Sequence, residues 1–390
     1  MPSCRLLSYP FRIFFMLTGL FACLVILMWL GMLDGQLALP ITLPPIWWHA
    51  HEMLYGLIPA AVSGFLLTAM ANWTGMPPPR GRVLLGLATL WIAGRVAMAS
   101  QGIVPGILVA AVDLSFLPVL AIIVLRTLWR AGNRRNLPLV AVLATFAAGN
   151  GLMHLAFLGL APTLARTGEL LGLNLTAVLL AVIGGRIAPA FTANWLRRRG
   201  GDPAAVRQYP MIDRAALALL VAVLVIDLFA AGSAVAGMVA LLAGLLHALR
   251  VLGWRGWHAH RDPLTWILHL GYAWIPVALF LKGIAPFSDV VGPSVWIHAL
   301  GIGAAGTSIL AVMTRVSVAH TGRGLILRRG ARLIYGLITM AALLRLVAAV
   351  GIGGLDSLNA AGLTWFAAFG LFLVAYAPVL YQPRVDGQPG

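Results

Sequence analysis

Nine histidines are set among long apolar runs in this chain. An ionisable or metal-binding side chain is expensive in an apolar setting, so each is a functional candidate. By depth along the runs they fall into two layers. One holds His49, His51, His154 and His298; the other holds His269 and His320, with His247, His258 and His260 at its edge. His49 and His51 are two residues apart, about 200° of helical rotation, so their rings should serve different neighbours. His258 and His260 sit in a loop beside Arg255 and Arg261 and read as solvated. Taken singly, each histidine reads first as a hydrogen-bonded core residue. Four in one thin layer, near Arg95 and Arg345, are what a haem site needs. Haem iron takes axial imidazoles from facing helices, and its propionates take guanidinium donors. Imidazole also suits copper. Arg315 closes a run and can snorkel to the interface. Arg186 lies deeper and needs a carboxylate, carbonyls or an anion. Glu52, Asp113, Glu169 and Asp227 are the acids within reach of the runs, and a structural pairing is the first reading for each.

The elements that position these residues are membrane helices. The chain of 390 residues is 61% hydrophobic and 10% charged, where a soluble domain carries roughly 25% charge. Runs of about 20 apolar residues are long enough to cross a bilayer. We place twelve spans at about 11–33, 47–71, 83–101, 104–129, 137–160, 169–193, 211–231, 234–254, 264–285, 294–316, 331–351 and 358–381. The fold class is therefore all-α and polytopic. Pro77-Pro78-Pro79, Asp202-Pro203 and Asp262-Pro263 break the runs.

The net charge of +16 would suit nucleic acid, but its distribution excludes that partner. Twenty-two of the 27 basic residues fall in the N-terminus, the even-numbered loops and the tail, and only Arg166 and Lys282 fall on the other side. Cationic loops stay in the cytoplasm, so both termini should be cytoplasmic, in a bacterial inner membrane. The first run is too long for a signal peptide and lacks a small-residue cleavage site. Cys4 and Cys23 form neither a disulfide framework nor a thiolate metal pair.

Short words recur about 120 residues apart. Asn72-Trp73 closes span two, Asn194-Trp195 closes span six, and Leu310-Ala-Val-Met-Thr-Arg315 closes span ten. Spans three and eleven each carry one arginine, Arg95 and Arg345, about two-thirds along. These echoes suggest three four-helix units, about 1–133, 134–258 and 259–390, within one integral membrane domain.

Longer words carry a family resemblance. Trp48-His49-Ala-His51-Glu52-Met53-Leu54-Tyr55-Gly56, Gly64-Phe-Leu-Leu-Thr-Ala69 and Asn72-Trp-Thr-Gly75 resemble the NnrS family. So do Gly184-Gly-Arg-Ile187, Pro189-Ala-Phe-Thr192, Asn194-Trp-Leu196 and Leu268-His-Leu-Gly-Tyr-Ala-Trp274. Ile297-His-Ala-Leu300, Val312-Met-Thr-Arg315, His320-Thr-Gly-Arg323 and Pro383-Arg384 complete the set. The resemblance covers nearly the whole chain. It implies a membrane protein containing haem, of b type, and copper, tied to nitric oxide metabolism, denitrification and nitrosative stress. It places metal-binding histidines at His49, His51, His269, His298 and His320, with His154 a weaker match. Where the family leads one to expect Leu-Gly before the last of these, this chain has Val318-Ala319.

Three four-helix units with histidines on spans two and ten also resemble the haem–copper oxidase core, in which those spans clamp a low-spin haem. Here His49 or His51 would pair with His298, with Arg95 and Arg345 on the propionates. The chain departs from that superfamily in lacking a histidine on span six and a His-His pair on span seven. The leading expectation is a haem- and copper-binding protein that binds or processes nitric oxide or an iron-nitrosyl species, served by an electron donor. The competing expectation is a transporter or chaperone for copper or haem that uses the layered histidines as a relay. A third is a structural partner in a larger complex, without bound metal. No catalytic residue stands out.

Overall fold

The structure, a computed structural model, describes residues 5–387. It contains twelve long helices and, among the described residues, no strand. They are α1 (Pro10–Leu33), α2 (Pro45–Thr74), α3 (Arg82–Ala99), α4 (Gly106–Arg130), α5 (Pro138–Phe157) and α6 (Leu164–Arg198). They continue as α7 (Pro210–Ala230), α8 (Ala234–Trp254), α9 (Pro263–Ile284), α10 (Pro293–Ala319), α11 (Ala331–Ala349) and α12 (Gly354–Tyr381). Six begin at a proline, whose missing N–H is no loss in the first turn. Eleven candidate membrane spans are long and apolar enough to cross a bilayer. The remaining helix, α7, is as long but carries Asp213, Arg214 and Asp227. The predicted spans match these helices closely. The largest difference is α6, which runs several residues past each end of 169–193. Its last turn carries Arg197 and Arg198, which hydropathy reads as loop.

Two helices are irregular at matching places. In α2 the segment Glu52–Leu57 winds as a π-helix, and in α10 the segment Ala299–Gly306 does the same. Such turns take an extra residue and concentrate at functional sites. Each one follows directly on a histidine, His51 in α2 and His298 in α10. Pro59 lies just beyond the first and cannot donate to the preceding turn. In the second, Gly303 leaves room for the Trp274 ring, where a Cβ would collide with it.

The chain separates into two compact units. Unit 1 comprises the described residues up to Gly172, Arg315–Leu325 and those from Phe372 onward. It contains the first five helices, the start of α6, and the last residues of α10 and α12. Arg12 at the start of α1 is fully buried and donates through Nη1 to the carbonyls of Leu380 (2.5 Å) and Gln382 (2.8 Å), closing the C-terminal end of α12. The next residues form a clasp. Arg384 Nη1 donates to the His320 carbonyl at 3.2 Å, Val385 N donates to the Thr321 carbonyl at 3.2 Å, and Arg323 Nη2 donates to Gln382 Oε1 at 3.0 Å. Gly322 has φ +71° and faces Asp386, so only glycine fits there. Two words of the family resemblance, His320-Thr-Gly-Arg323 and Pro383-Arg384, thus make one structure. The His320 ring packs on Tyr9 and Phe11, and burial beside Arg384 holds its pKa below the ordinary 6.5.

Unit 2 comprises Leu173–Thr314 and Ile326–Leu371. There α8 and α9 approach closely because Gly237 and Gly283 meet backbone to backbone. Small residues at such contacts are the usual means of packing helices in lipid, where no hydrophobic drive separates helix from solvent.

Candidate metal centre

The most concentrated polar cluster of unit 1 is assembled from four helices. His51 and Glu52 come from α2 at the start of its π-helical turn, Arg95 from α3, Asp113 from α4, and Asn150 and His154 from α5. Asn150 and His154 are four residues apart and so share one helix face. All six side chains are buried. Two glycines allow the approach. A Cβ at Gly56 would strike Arg95 Nη1, and one at Gly94 would crowd Asp113 Oδ1. Trp91 Nε1 donates to the Gly56 carbonyl at 2.9 Å and keeps α3 against that stretch of α2.

The contacts converge on Asp113. Its Oδ2 accepts from Asn150 Nδ2 at 2.8 Å, lies 2.9 Å from His154 Nε2 and 3.2 Å from His51 Nε2. Its Oδ1 accepts from Arg95 Nη2. Arg95 Nη1 donates to Glu52 Oε1 at 2.5 Å, and the same oxygen lies 2.9 Å from His51 Nδ1. Asn150 turns its carbonyl oxygen to His51 Nε2 at 2.8 Å. Both nitrogens of His51 therefore face acceptor oxygens. Two carboxylates surround one guanidinium, so a second positive charge is called for at the ring. A second ring proton supplies it, or a metal ion at Nε2 does.

One donor atom each from His51, Asp113 and His154 lies within 4.8 Å of the others. Two imidazoles and a carboxylate are a ligand set for a first-row transition ion. Glu52 meets His51 at Nδ1, the nitrogen away from the ion position, as a partner that fixes ring orientation does, whereas Asn150 bonds two of the donor atoms themselves, His51 Nε2 and Asp113 Oδ2. Glu52 Oε2 is buried without a hydrogen-bond partner among the described residues. The fit is to an ion. Donors already at hydrogen-bond spacing are too close together for a porphyrin between them.

The other predicted residues lie elsewhere. His49 is half-buried and stacks on Trp29 of α1 at 4.4 Å, away from His51, as the two-residue spacing implies. Arg315 is buried in unit 1, and Arg186 is on an exposed face of α6. In unit 2, His298 Nδ1 donates to the Ser294 carbonyl at 2.7 Å, and Arg345 Nη2 donates to Ser294 Oγ at 3.1 Å. His269 Nε2 bonds Thr192 Oγ1 at 2.7 Å. Arg95 is occupied by two carboxylates, which makes it the counter-ion of the cluster rather than a propionate clamp. Sequence reasoning passed over Asn150 and left Asp113 unplaced. The signal was available in two polar side chains standing alone in apolar spans, one of them four residues before His154.

Fold and cluster define a class: an all-helical polytopic membrane protein with a histidine–carboxylate group enclosed in its bundle. The chain belongs to the NnrS family, whose model, described as NnrS protein, matches residues 5–384. It is thus a membrane protein related to the nitric oxide response. No curated protein matches it.

Proposed function

We propose that this chain is a copper- and haem-binding protein of the bacterial inner membrane that binds or processes nitric oxide or an iron-nitrosyl species. The observation that carries the reading is the enclosed group His51, Asp113 and His154. Copper stands highest among divalent ions for nitrogen and oxygen donors of this kind. His51 Nε2, His154 Nε2 and Asp113 Oδ2 would hold it, with Asn150 giving up its bonds to two of those atoms; Glu52 would orient His51 through Nδ1, and Arg95 would balance the carboxylates. Haem fits unit 2 better. His298 gives its Nδ1 proton to the Ser294 carbonyl, which leaves Nε2 as the ligating nitrogen, and Arg345 is adjacent for a propionate. When bound, the two groups would exchange single electrons with the nitrogen oxide ligand, supplied by an electron donor. Nitric oxide is small and apolar, so it reaches a buried site through lipid, while the apolar bundle excludes water and ions.

The test is metal and haem analysis of purified protein with an optical spectrum, for the wild type and for His51→Ala, His154→Ala and Asp113→Asn. Each variant should lose about one equivalent of copper and keep its haem, whereas His298→Ala should lose the haem band. Wild-type protein without copper after growth in copper would overturn the assignment. Copper flux into vesicles without nitric oxide turnover would favour the transporter reading.

A further inference from the structure

Of the 27 basic side chains in the sequence, 26 are arginine and one is lysine, Lys282. That lysine is not at a solvated helix end. It is buried in α9, where Nζ donates to Asp227 Oδ2 of α7 at 2.7 Å and lies 3.7 Å from the ring centroid of Trp296 in α10. Asn174 Nδ2, from α6, donates to the same carboxylate oxygen at 2.7 Å. The lysine side chain is 9% exposed and the aspartate side chain 1%. Asp227 Oδ1 is buried without a hydrogen-bond partner among the described residues. On the α8 side Gly237 meets Gly283 and adds no charge, and Arg345 of α11 turns to Ser294 Oγ.

A purely structural ion pair here would call for arginine, which this chain uses everywhere else. Arginine offers two parallel bonds to a carboxylate and never gives up its proton, whereas lysine offers a compact ammonium that can. Burying an ion pair is by itself a poor route to stability. A bare carboxylate oxygen at the same point leaves a lone pair with nothing to accept. We propose that Asp227 and Lys282 form a proton-exchange site, loaded at Asp227 Oδ1 and unloaded at Lys282 Nζ. A proton first adds to Oδ1, giving carboxylic acid beside ammonium, and one then leaves Nζ to the medium, giving carboxylic acid beside amine. Rotation of the carboxyl group then presents its O–H to the amine, the proton crosses, and the ion pair is restored. The ligand is the proton alone. The site shares no residue with the proposed copper centre and stands or falls separately from it.

Infrared difference spectra of the full-length protein across the neutral pH range test the loading step. A carboxylic acid band should grow on acidification, vanish in Asp227→Asn and move in Asp227→Glu. Lys282→Arg keeps the charge and the ion pair, so it should abolish the titration without unfolding the protein. Lys282 is also the only side-chain amine, so reductive methylation reads it directly. Its rate should rise about tenfold per pH unit through the transition. An absent band in the wild type, or a Lys282→Arg protein that titrates like the wild type, would show the pair to be structural.

Discussion

Arg95 joins two buried carboxylates, Glu52 and Asp113. Removing one member of such a group leaves uncompensated charge, and the handicap is large because apolar surroundings screen little. Arg95→Met should therefore cost roughly 3–5 kcal/mol, read as a lowered unfolding midpoint in detergent. Copper should recover most of that loss, because an ion that binds only the folded state stabilises it and now replaces the missing positive charge. An Arg95→Met protein that is as stable as the wild type without metal would remove Arg95 from the charge balance. At this scale the sequence made the chemistry legible but not the partnerships. His51, Glu52, Arg95 and His154 stand out because each is polar in an apolar run. That Arg95 would meet Asp113 rather than a propionate depends on the bare surfaces of Gly56 and Gly94, and a glycine in a membrane helix carries no mark of what crosses it.

The helices themselves were legible because lipid demands long apolar runs, and prolines at first turns mark where many begin. The π-helical turns were not, since an extra residue within a turn leaves hydropathy unchanged. Their role is to set rotation. Deleting one residue from 60–63, in the regular stretch beyond the wide turn, should rotate the preceding part of α2 by about 100° relative to the rest. His51 would then leave Asp113 and His154 while the span kept its length. The deletion should abolish copper binding with little loss of helix content by circular dichroism. Retained copper would show that the rotation of α2 does not orient the ligand. The equivalent turn after His298 predicts the same sensitivity for haem.

At the level of the whole chain, the family words run from end to end, yet their spacing does not reveal the two units. Unit 1 gathers segments from the beginning, the later part and the end of the sequence, and no local pattern announces that His320 will meet Tyr9 and Arg384. The clasp has a pH dependence of definite sign. The folded state holds the His320 pKa below its ordinary value, so the unfolded chain binds the proton more readily. Stability from this site is present above the unfolded pKa and is lost as pH falls below it. Limited proteolysis of the residues after Gln382 should accelerate on acidification below about pH 6.5 and should become insensitive to pH in His320→Phe. Cleavage that does not change with pH in the wild type would refute it.

Arg12 opens α1, and its carbonyl partners, Leu380 at the end of α12 and Gln382 just beyond it, are about 370 positions later in the chain. At bacterial translation rates of about 5–20 residues per second, that guanidinium waits on the order of tens of seconds for them. Until then α1 can insert but unit 1 lacks this link between its first and last segments. A chain that terminates early carries an unanswered cation at its first span, a mark by which membrane quality control can recognise it.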